Sequence, residues 1–135
     1  MFKQIELKTT KRNELVDITS KVEAVANASG IYAGICVVYV PHTTAGIIIN
    51  ENADPDVQTD LLDALEKMIP KINFKHAEGN SDSHLKSLIC GKEKTLIVEK
   101  SSLKLGAWDS VYFMEADGPR ERKVYVKIIE GFNQF

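Results

Sequence analysis

The segment "IYAGICVVYVPHTTAGIIIN", residues 31–50, decides the fold of this chain. Its first half is rich in β-branched and aromatic residues and is apolar nearly throughout. That composition predicts a central strand covered on both faces. Pro41 ends this strand, and "AGIIIN" begins a second apolar run. We interpret the second run as a neighbouring strand, with "PHTT" as the connection between the two.

Three segments outside this pair have helical patterns. Residues 20–29 open with the S-x-x-E spacing of a capping box. Residues 54–69 begin with Asp-Pro, in which Asp is a favourable N-cap and Pro suits the first helical position, and continue as an amphipathic pattern. A shorter helix is predicted from residue 81 or 82 to residue 89. Two to three helices are therefore expected.

The remaining patterned segments are strands. They are "QIELKT" and "LVDIT" near the N-terminus, and "TLIVEK", "WDSVYFMEA" and "RKVYVKIIEGF" in the last third. A turn containing Asp-Gly-Pro separates the last two, which predicts an antiparallel meander at the end of the chain. The order predicts an α+β fold, in which mixed or antiparallel β-sheets pack with the helices in a single compact domain over residues 1–135.

Composition and charge limit the possible functions. The 135 residues are 44% apolar, 27% charged and carry a formal net charge of -2. This balance suits one globular domain and argues against a nucleic-acid binder, which needs a basic footprint. No signal peptide and no apolar run of about 20 residues is evident, so we expect no membrane contact and a cytoplasmic location.

Two cysteines, Cys36 and Cys90, are isolated and not in a C-x-x-C spacing. A free cysteine behaves as a small apolar residue, so we interpret both as reduced, mostly buried thiols. The sequence leaves a disulfide between them open.

Three histidines, His42, His76 and His84, lie in polar segments at the edges of regular elements. Two of them belong to "HAEGNSDSHLKS", residues 76–87. Three imidazoles can hold a zinc-type ion with a fourth position open. Their spacing matches no local metal motif, and the alternative is that they are separate side chains that serve turns and helix caps.

Acidic residues follow the second apolar run. Asp54 is expected to cap a helix, because acids near a helix N-terminus complement its dipole. Glu51 directly ends the apolar run. If the two apolar strands pair antiparallel, Glu51 returns to the region of His42. There it could be a metal ligand, a partner of a ligating histidine, or a general base.

Cationic residues near the C-terminus suggest phosphate binding. Arg120 and Arg122 lie two apart at the start of a strand, which places them on one face. A guanidinium can bind phosphate through two parallel hydrogen bonds. The alternative is that Arg120 and Arg122 are ordinary surface charges. Lys86 and Ser81 are further candidate phosphate donors. Trp108, the only tryptophan, is more typical of a core or interface anchor than of a stacking platform.

The motifs "HTTAGIIINENADPDV", "HAEGNSDSHLKS", "LGAWDSVYF" and "DGPRER", taken together, resemble the YjbQ-like family, often labelled the secondary thiamine-phosphate-synthase family. The resemblance covers about residues 3–131. It implies an α+β fold assembled as a homotrimer, with a pocket near a subunit boundary lined by these motifs. Carried over, the pocket residues are His42, Thr43, Thr44, Glu51, Asp54, His76, Glu78, Asn80, Ser81, His84, Lys86, Arg120 and Arg122, with Trp108 in the third motif.

Three functions are compatible with these residues. The first is a small metal-assisted enzyme acting on phosphorylated metabolites, in which His42, His84 and Glu51 are catalytic and the histidines hold Zn²⁺ or Mg²⁺. The family label implies the joining of an aminopyrimidine diphosphate to a thiazole phosphate, with loss of diphosphate. The second is a non-catalytic trimeric module that binds a metal or an anion. The third is a trimeric structural protein whose polar motifs only build turns.

Overall fold

A computed structural model of the protein describes residues 1–131, which contain eight strands and three helices. In chain order these are β1 (Phe2–Lys8), β2 (Glu14–Asp17), α1 (Thr19–Ala28), β3 (Ala33–Tyr39), β4 (Ala45–Glu51), α2 (Pro55–Met68), α3 (Ser81–Cys90), β5 (Glu93–Glu99), β6 (Ser102–Leu103), β7 (Asp109–Glu115) and β8 (Glu121–Glu130). Strands β1, β8, β3, β5 and β6 form one antiparallel sheet in that order, and β2, β7 and β4 form a second.

The two apolar runs of residues 31–50 lie in different sheets. Strand β3 pairs with β5 and β8, whereas β4 pairs with β7. The expectation that the two runs are neighbouring strands is therefore wrong. Both runs bury apolar side chains in the same core, and apolar content alone does not distinguish a strand beside another from a strand facing it.

The last two long strands are separated in the same way. Strand β7 belongs to the second sheet and β8 to the first, so the predicted meander is wrong. The turn between them, like the "PHTT" connection, carries the chain from one sheet to the other. The two connections meet, because the backbone N–H of Ala116 donates to the carbonyl of Thr44 at 3.2 Å.

One core lies between the sheets and beneath α1. The first sheet contributes side chains such as Val38 and Val126, the second Ile47 and Phe113, and α1 contributes Val22, all fully buried or nearly so. This confirms an α+β fold of antiparallel sheets packed with helices. None of the helices formed within residues 1–131 is both long and apolar enough to cross a membrane.

Strand β3 is covered on one face only within the single chain. Cys36 and Val38 point into the core, but Ile35 and Tyr39 on the other face are each 39% exposed. Ile35 lies directly between Ile97 of β5 and Ile129 of β8 in the strand register. We call these three exposed residues, Ile35, Ile97 and Ile129, the isoleucine row.

The capping box predicted for α1 does not form. The helix begins at Thr19, whose backbone N–H donates to Asp17 Oδ1 at 2.9 Å. The carboxylate of Glu23 instead accepts from the backbone N–H of Leu103 at 3.0 Å, which fixes the short strand β6. A tertiary partner has replaced the local one that the spacing suggested.

Both thiols are free, as predicted. Cys36 is fully buried, and burial, reinforced by the negative charge of Glu23, raises its pKa to about 11. Burial also raises the pKa of Cys90. Neither sulfur is activated as a nucleophile.

Candidate functional site

A polar pocket of about 350 Å³ opens where the chain crosses between the two sheets. We call it the crossover pocket. Apart from Pro41, every residue that lines it is one of those singled out from the sequence: His42, Thr43, Thr44, Glu78, Asn80, His84, Arg120 and Arg122. The pocket is therefore formed by the "PHTT" connection, the start of α3 and the turn before β8.

A buried ion pair forms one wall of the crossover pocket. Arg122 donates from Nε to Glu115 Oε2 at 2.8 Å and from Nη2 to Glu115 Oε1, and both side chains are almost inaccessible to water. Thr9 and the backbone N–H groups of Ala116 and Asp117 also donate to this carboxylate, at 2.8, 3.0 and 3.0 Å. Burial alone would raise the pKa of Glu115, but Arg122 and these hydrogen bonds outweigh it and lower the pKa overall. The carboxylate is thus ionised and holds Arg122 in place.

One nitrogen of the Arg122 guanidinium is not used in these contacts. Its Nη2 donates to Thr44 Oγ1 at 2.9 Å in addition to Glu115. Its Nη1 donates no hydrogen bond within residues 1–131, and Arg122 lines the pocket. A fixed guanidinium with a free N–H edge suits an anion.

Arg120, by contrast, is half exposed and is held by Asp117. It donates from Nη2 to Asp117 Oδ2 and from Nε to the Asp117 carbonyl, both at 3.0 Å. The same carboxylate oxygen accepts from Asn80 Nδ2 at 2.9 Å. Asp117 therefore positions two side chains of the pocket.

His42 is neutral and has a defined tautomer. The backbone N–H of Lys123 donates to His42 Nε2 at 2.9 Å, so the ring proton is on Nδ1. Burial lowers the pKa of His42, and the positive charges of Arg122 and Arg120 lower it further, while Glu115 opposes them. Strand β3 pairs with β8 only as far as Tyr39 and Tyr125. Beyond that point, the His42 ring accepts the hydrogen bond from the Lys123 backbone N–H that a carbonyl of a longer β3 would accept.

The three histidines do not form a metal centre within one chain. His76 and His84 pack edge to face with ring centroids 5.8 Å apart, but only His84 lines the pocket. The Nε2 of His42 is already engaged. Within residues 1–131, no three His, Cys, Asp or Glu side chains lie close enough together to hold an ion. The donor set of the described residues does not fit the Zn²⁺ or Mg²⁺ centre that we expected.

Glu51 lies at the opposite end of β4 from the pocket. Ala45 pairs with Glu115 beside the pocket, whereas Glu51 pairs with Asp109. At about 3.4 Å per residue, Glu51 is about 20 Å along the strand from Ala45. The expectation that it returns to His42 is wrong, because it depended on the pairing of β3 with β4.

Two other expected pocket residues also lie away from the pocket lining. The Asp54 side chain caps α2 by accepting from the backbone N–H of Asp56 at 2.9 Å, as the capping interpretation predicts. Trp108 is 65% exposed just before β7. It is therefore not a core anchor of the single chain.

The two further phosphate donors are not part of the lining. Lys86 is 2% exposed, and its Nζ pairs with Glu66 of α2 and donates to Asn13 Oδ1 at 3.0 Å. Ser81 is the first residue of α3 and does not line the pocket. The proposal that Lys86 binds phosphate is wrong for this arrangement, since its ammonium is occupied by a carboxylate.

Sequence reasoning missed the two acids that hold the arginines. Glu115 and Asp117 lie two apart in "MEADGPRER", as Arg120 and Arg122 do. The paired spacing of two acids before two arginines was a signal, but only the tertiary contacts assign Glu115 to Arg122 and Asp117 to Arg120.

The molecule is thus a small α+β protein of two facing antiparallel sheets and three helices. Its crossover pocket is built around two arginines that are held by acids. The sequence model of the family described as "UPF0047 protein YjbQ-like" matches residues 3–131. The chain belongs to this YjbQ/UPF0047 family.

Relatives and solved structures agree with this assignment. The chain is 51% identical to a UPF0047 protein of Methanocaldococcus jannaschii over 96% of this chain and 94% of that one. It is 47% identical to the UPF0047 protein YugU of Bacillus subtilis over 96% and 99%. A crystal structure of a YjbQ/UPF0047 protein from Clostridium acetobutylicum superposes with a TM-score of 0.90 at 50% identity, covering 93% of this chain and 98% of that one. A protein described as YbjQ-like and of unknown function, from Sulfolobus solfataricus, gives a TM-score of 0.92 at 34% identity, covering 97% of each chain.

Proposed function

We propose that the crossover pocket binds the phosphate group of a small metabolite and that the protein acts on this metabolite as an enzyme. The observation that carries the proposal is the Arg122 guanidinium at the pocket wall, which buried Glu115 holds rigidly and whose Nη1 donates no hydrogen bond within residues 1–131. Arg120 adds a second, more exposed guanidinium beside it. Fixed guanidinium groups in a partly desolvated site bind phosphate oxygens without reorganising, which favours binding and stabilises developing charge.

The other pocket residues have complementary roles. Neutral His42 offers its Nδ1–H as a hydrogen-bond donor. His84 and Glu78 bring an imidazole and a carboxylate to the same lining, and both are groups that can transfer protons to or from a bound ligand.

The resemblance to the secondary thiamine-phosphate synthases supplies a specific reaction to test. In that reaction, the bond between the pyrimidine methylene carbon and a diphosphate oxygen breaks, and the same carbon bonds to the thiazole nitrogen. Diphosphate leaves with the electron pair. Arg120 and Arg122 would stabilise that leaving group, and the pocket would hold the two reactants together.

A calorimetric titration with diphosphate, followed by a diphosphate-release assay with both thiamine precursors, tests the proposal. We expect Arg120→Ala to weaken diphosphate binding at least tenfold and His84→Ala to slow turnover while the fold is retained. Arg12→Ala is the matched control, because Arg12 is a similarly exposed arginine that pairs with Asp82 outside the pocket lining.

The results separate the candidate functions. Binding and release that both depend on the pocket support the enzyme. Diphosphate binding without turnover of the precursors favours a non-catalytic anion-binding module. If diphosphate does not bind, or binds equally well to Arg120→Ala and Arg12→Ala, the phosphate site is refuted.

We also propose that the protein self-associates, as a homotrimer, through the outer face of the first sheet. The isoleucine row crosses three adjacent strands and exposes 39–57% of each side chain. Tyr39 and Tyr125 stack beside it with ring centroids 6.3 Å apart. A contiguous apolar sheet face of this kind is typical of a protein–protein contact.

A further inference from the structure

One residue that lines the crossover pocket has a buried hydrogen-bond acceptor without a partner. Asn80 lines the pocket, and its Oδ1 is buried and accepts no hydrogen bond within residues 1–131. Asn80 stands at the N-cap position of α3, but its side chain does not cap the helix. The backbone N–H groups of Ser83 and His84 donate instead to the Asn80 carbonyl, at 3.0 and 3.3 Å.

The orientation of the Asn80 amide is determined by Asp117. The Asp117 carboxylate forms an ion pair with Arg120 and presents acceptor oxygens to its neighbours. Its Oδ2 lies 2.9 Å from Asn80 Nδ2. A rotation of the amide would place two acceptor oxygens against each other, so Oδ1 is necessarily the atom left unpaired.

The unpaired oxygen gives the pocket two chemically different sides. Arg120, Arg122 and His42 Nδ1–H are donors that suit phosphate oxygens. Asn80 Oδ1 and the carboxylate of Glu78 are acceptors, which repel phosphate oxygens and suit an N–H or O–H group. Buried acceptors in folded proteins are almost always paired, so an unpaired one beside a ligand pocket indicates a missing donor.

We infer that the ligand of the crossover pocket carries an N–H or O–H donor next to its phosphate, and that Asn80 Oδ1, which is inaccessible to water in this structure, is uncovered on binding and accepts from this group. This inference rests on the proposed phosphate site and specifies its ligand as a small amino- or hydroxy-substituted phosphate monoester or diphosphate. The Glu78 carboxylate favours the amino form, because an ammonium group complements its negative charge.

Three phosphate monoesters of equal length test the inference by calorimetry: O-phosphoethanolamine, 2-hydroxyethyl phosphate and n-propyl phosphate. They differ only in a terminal amine, hydroxyl or methyl group. We expect the first two to bind at least about tenfold more tightly than n-propyl phosphate, because a site built around a polar partner discriminates against an analogue that lacks it. In Asn80→Leu the preference for 2-hydroxyethyl phosphate over n-propyl phosphate disappears, and the preference for O-phosphoethanolamine falls to what Glu78 contributes. Affinity for n-propyl phosphate changes less than about threefold if Arg120 and Arg122 carry the phosphate.

Two further variants guard against indirect effects. Asn80→Ser removes the amide with a smaller change in volume and should give the same loss of preference. Gln58→Leu removes an amide that bonds Tyr112 outside the pocket lining, and it should leave the preference intact. Circular dichroism of each variant checks that the fold is retained.

Each outcome separates this inference from the proposed function. Equal binding of the three esters by the wild type, or a preference for 2-hydroxyethyl phosphate over n-propyl phosphate that survives Asn80→Leu and Asn80→Ser, overturns the inference and leaves the phosphate site standing. If Asn80→Leu weakens inorganic phosphate and all three esters alike, the donor is a protonated phosphate oxygen, and the inference is overturned in favour of that source. If neither inorganic phosphate nor any ester binds, the proposed function fails and the inference fails with it.

Discussion

Arg122 and Arg120 should differ sharply in their contribution to stability, although they are identical residues two positions apart. Replacing Arg122 with Met keeps most of the side-chain volume but leaves the fully buried carboxylate of Glu115 without its cation. Replacing Arg120 with Met removes one half-exposed ion pair with Asp117. The two substitutions therefore delete the same chemical group from two different environments.

The expected magnitudes follow from burial. Breaking a buried pair by removing one partner costs about 3–5 kcal/mol of unfolding free energy. For Arg122→Met we expect the lower end, about 3 kcal/mol, because Thr9 and two backbone N–H groups still donate to Glu115. For Arg120→Met we expect about 0–1 kcal/mol, since exposed ion pairs are screened by water.

Urea unfolding followed by circular dichroism measures both costs. A loss of about 3 kcal/mol lowers the midpoint by about 1–3 M for ordinary slopes. In the double variant Arg122→Met with Glu115→Leu, stability should rise above that of Arg122→Met alone, because no uncompensated buried charge remains. Equal destabilisation by Arg122→Met and Arg120→Met, or a double variant no more stable than Arg122→Met, would refute the reasoning.

Four further outcomes are expected. Burial is the main cause that lowers the pKa of His42 in the folded protein below its ordinary value of 6.5. As pH drops below 6.5, the unfolded chain therefore binds a proton at His42 that the folded protein does not, and the free energy of unfolding should fall. Thermal melts should show a shallower fall with pH for His42→Gln. The pKa of Glu115 is lowered from its ordinary value of 4.5, so its ionised carboxylate stabilises the folded state at pH values above 4.5. This contribution is lost as pH falls below 4.5 and through the lowered pKa. Lys86→Met should leave phosphate affinity unchanged in calorimetry, because the Lys86 ammonium pairs elsewhere; a tenfold loss would return Lys86 to the site. The proposed homotrimer should dissociate to monomers in sedimentation velocity on Ile35→Lys, but not on Leu88→Lys, an equally drastic change at another exposed apolar residue. A monomeric wild type contradicts this proposal.

The local patterns of the sequence predict most of the secondary structure. The Asp-Pro pair begins α2, and the amphipathic pattern after it ends at Met68 as expected. The pocket segments were also recognisable, because His42, Asn80 and Arg120 belong to short polar motifs that interrupt apolar strands. Such signals are readable because caps, turns and periodicity depend on residues only a few positions apart.

The tertiary structure alone decides which sheet each strand joins and what each charged residue touches. Strands β3 and β4 are both apolar and adjacent in the chain, yet they pair with strands about 60 positions or more away. Arg122 is buried because Glu115 and Thr44 surround it, while Lys86 leaves the pocket because Glu66 occupies its ammonium. The sequence by itself thus determined the elements and the polar motifs of this protein. The partners of those motifs were decided only when distant segments shared one core, since burial and pairing energies depend on neighbours in space that local spacing does not specify.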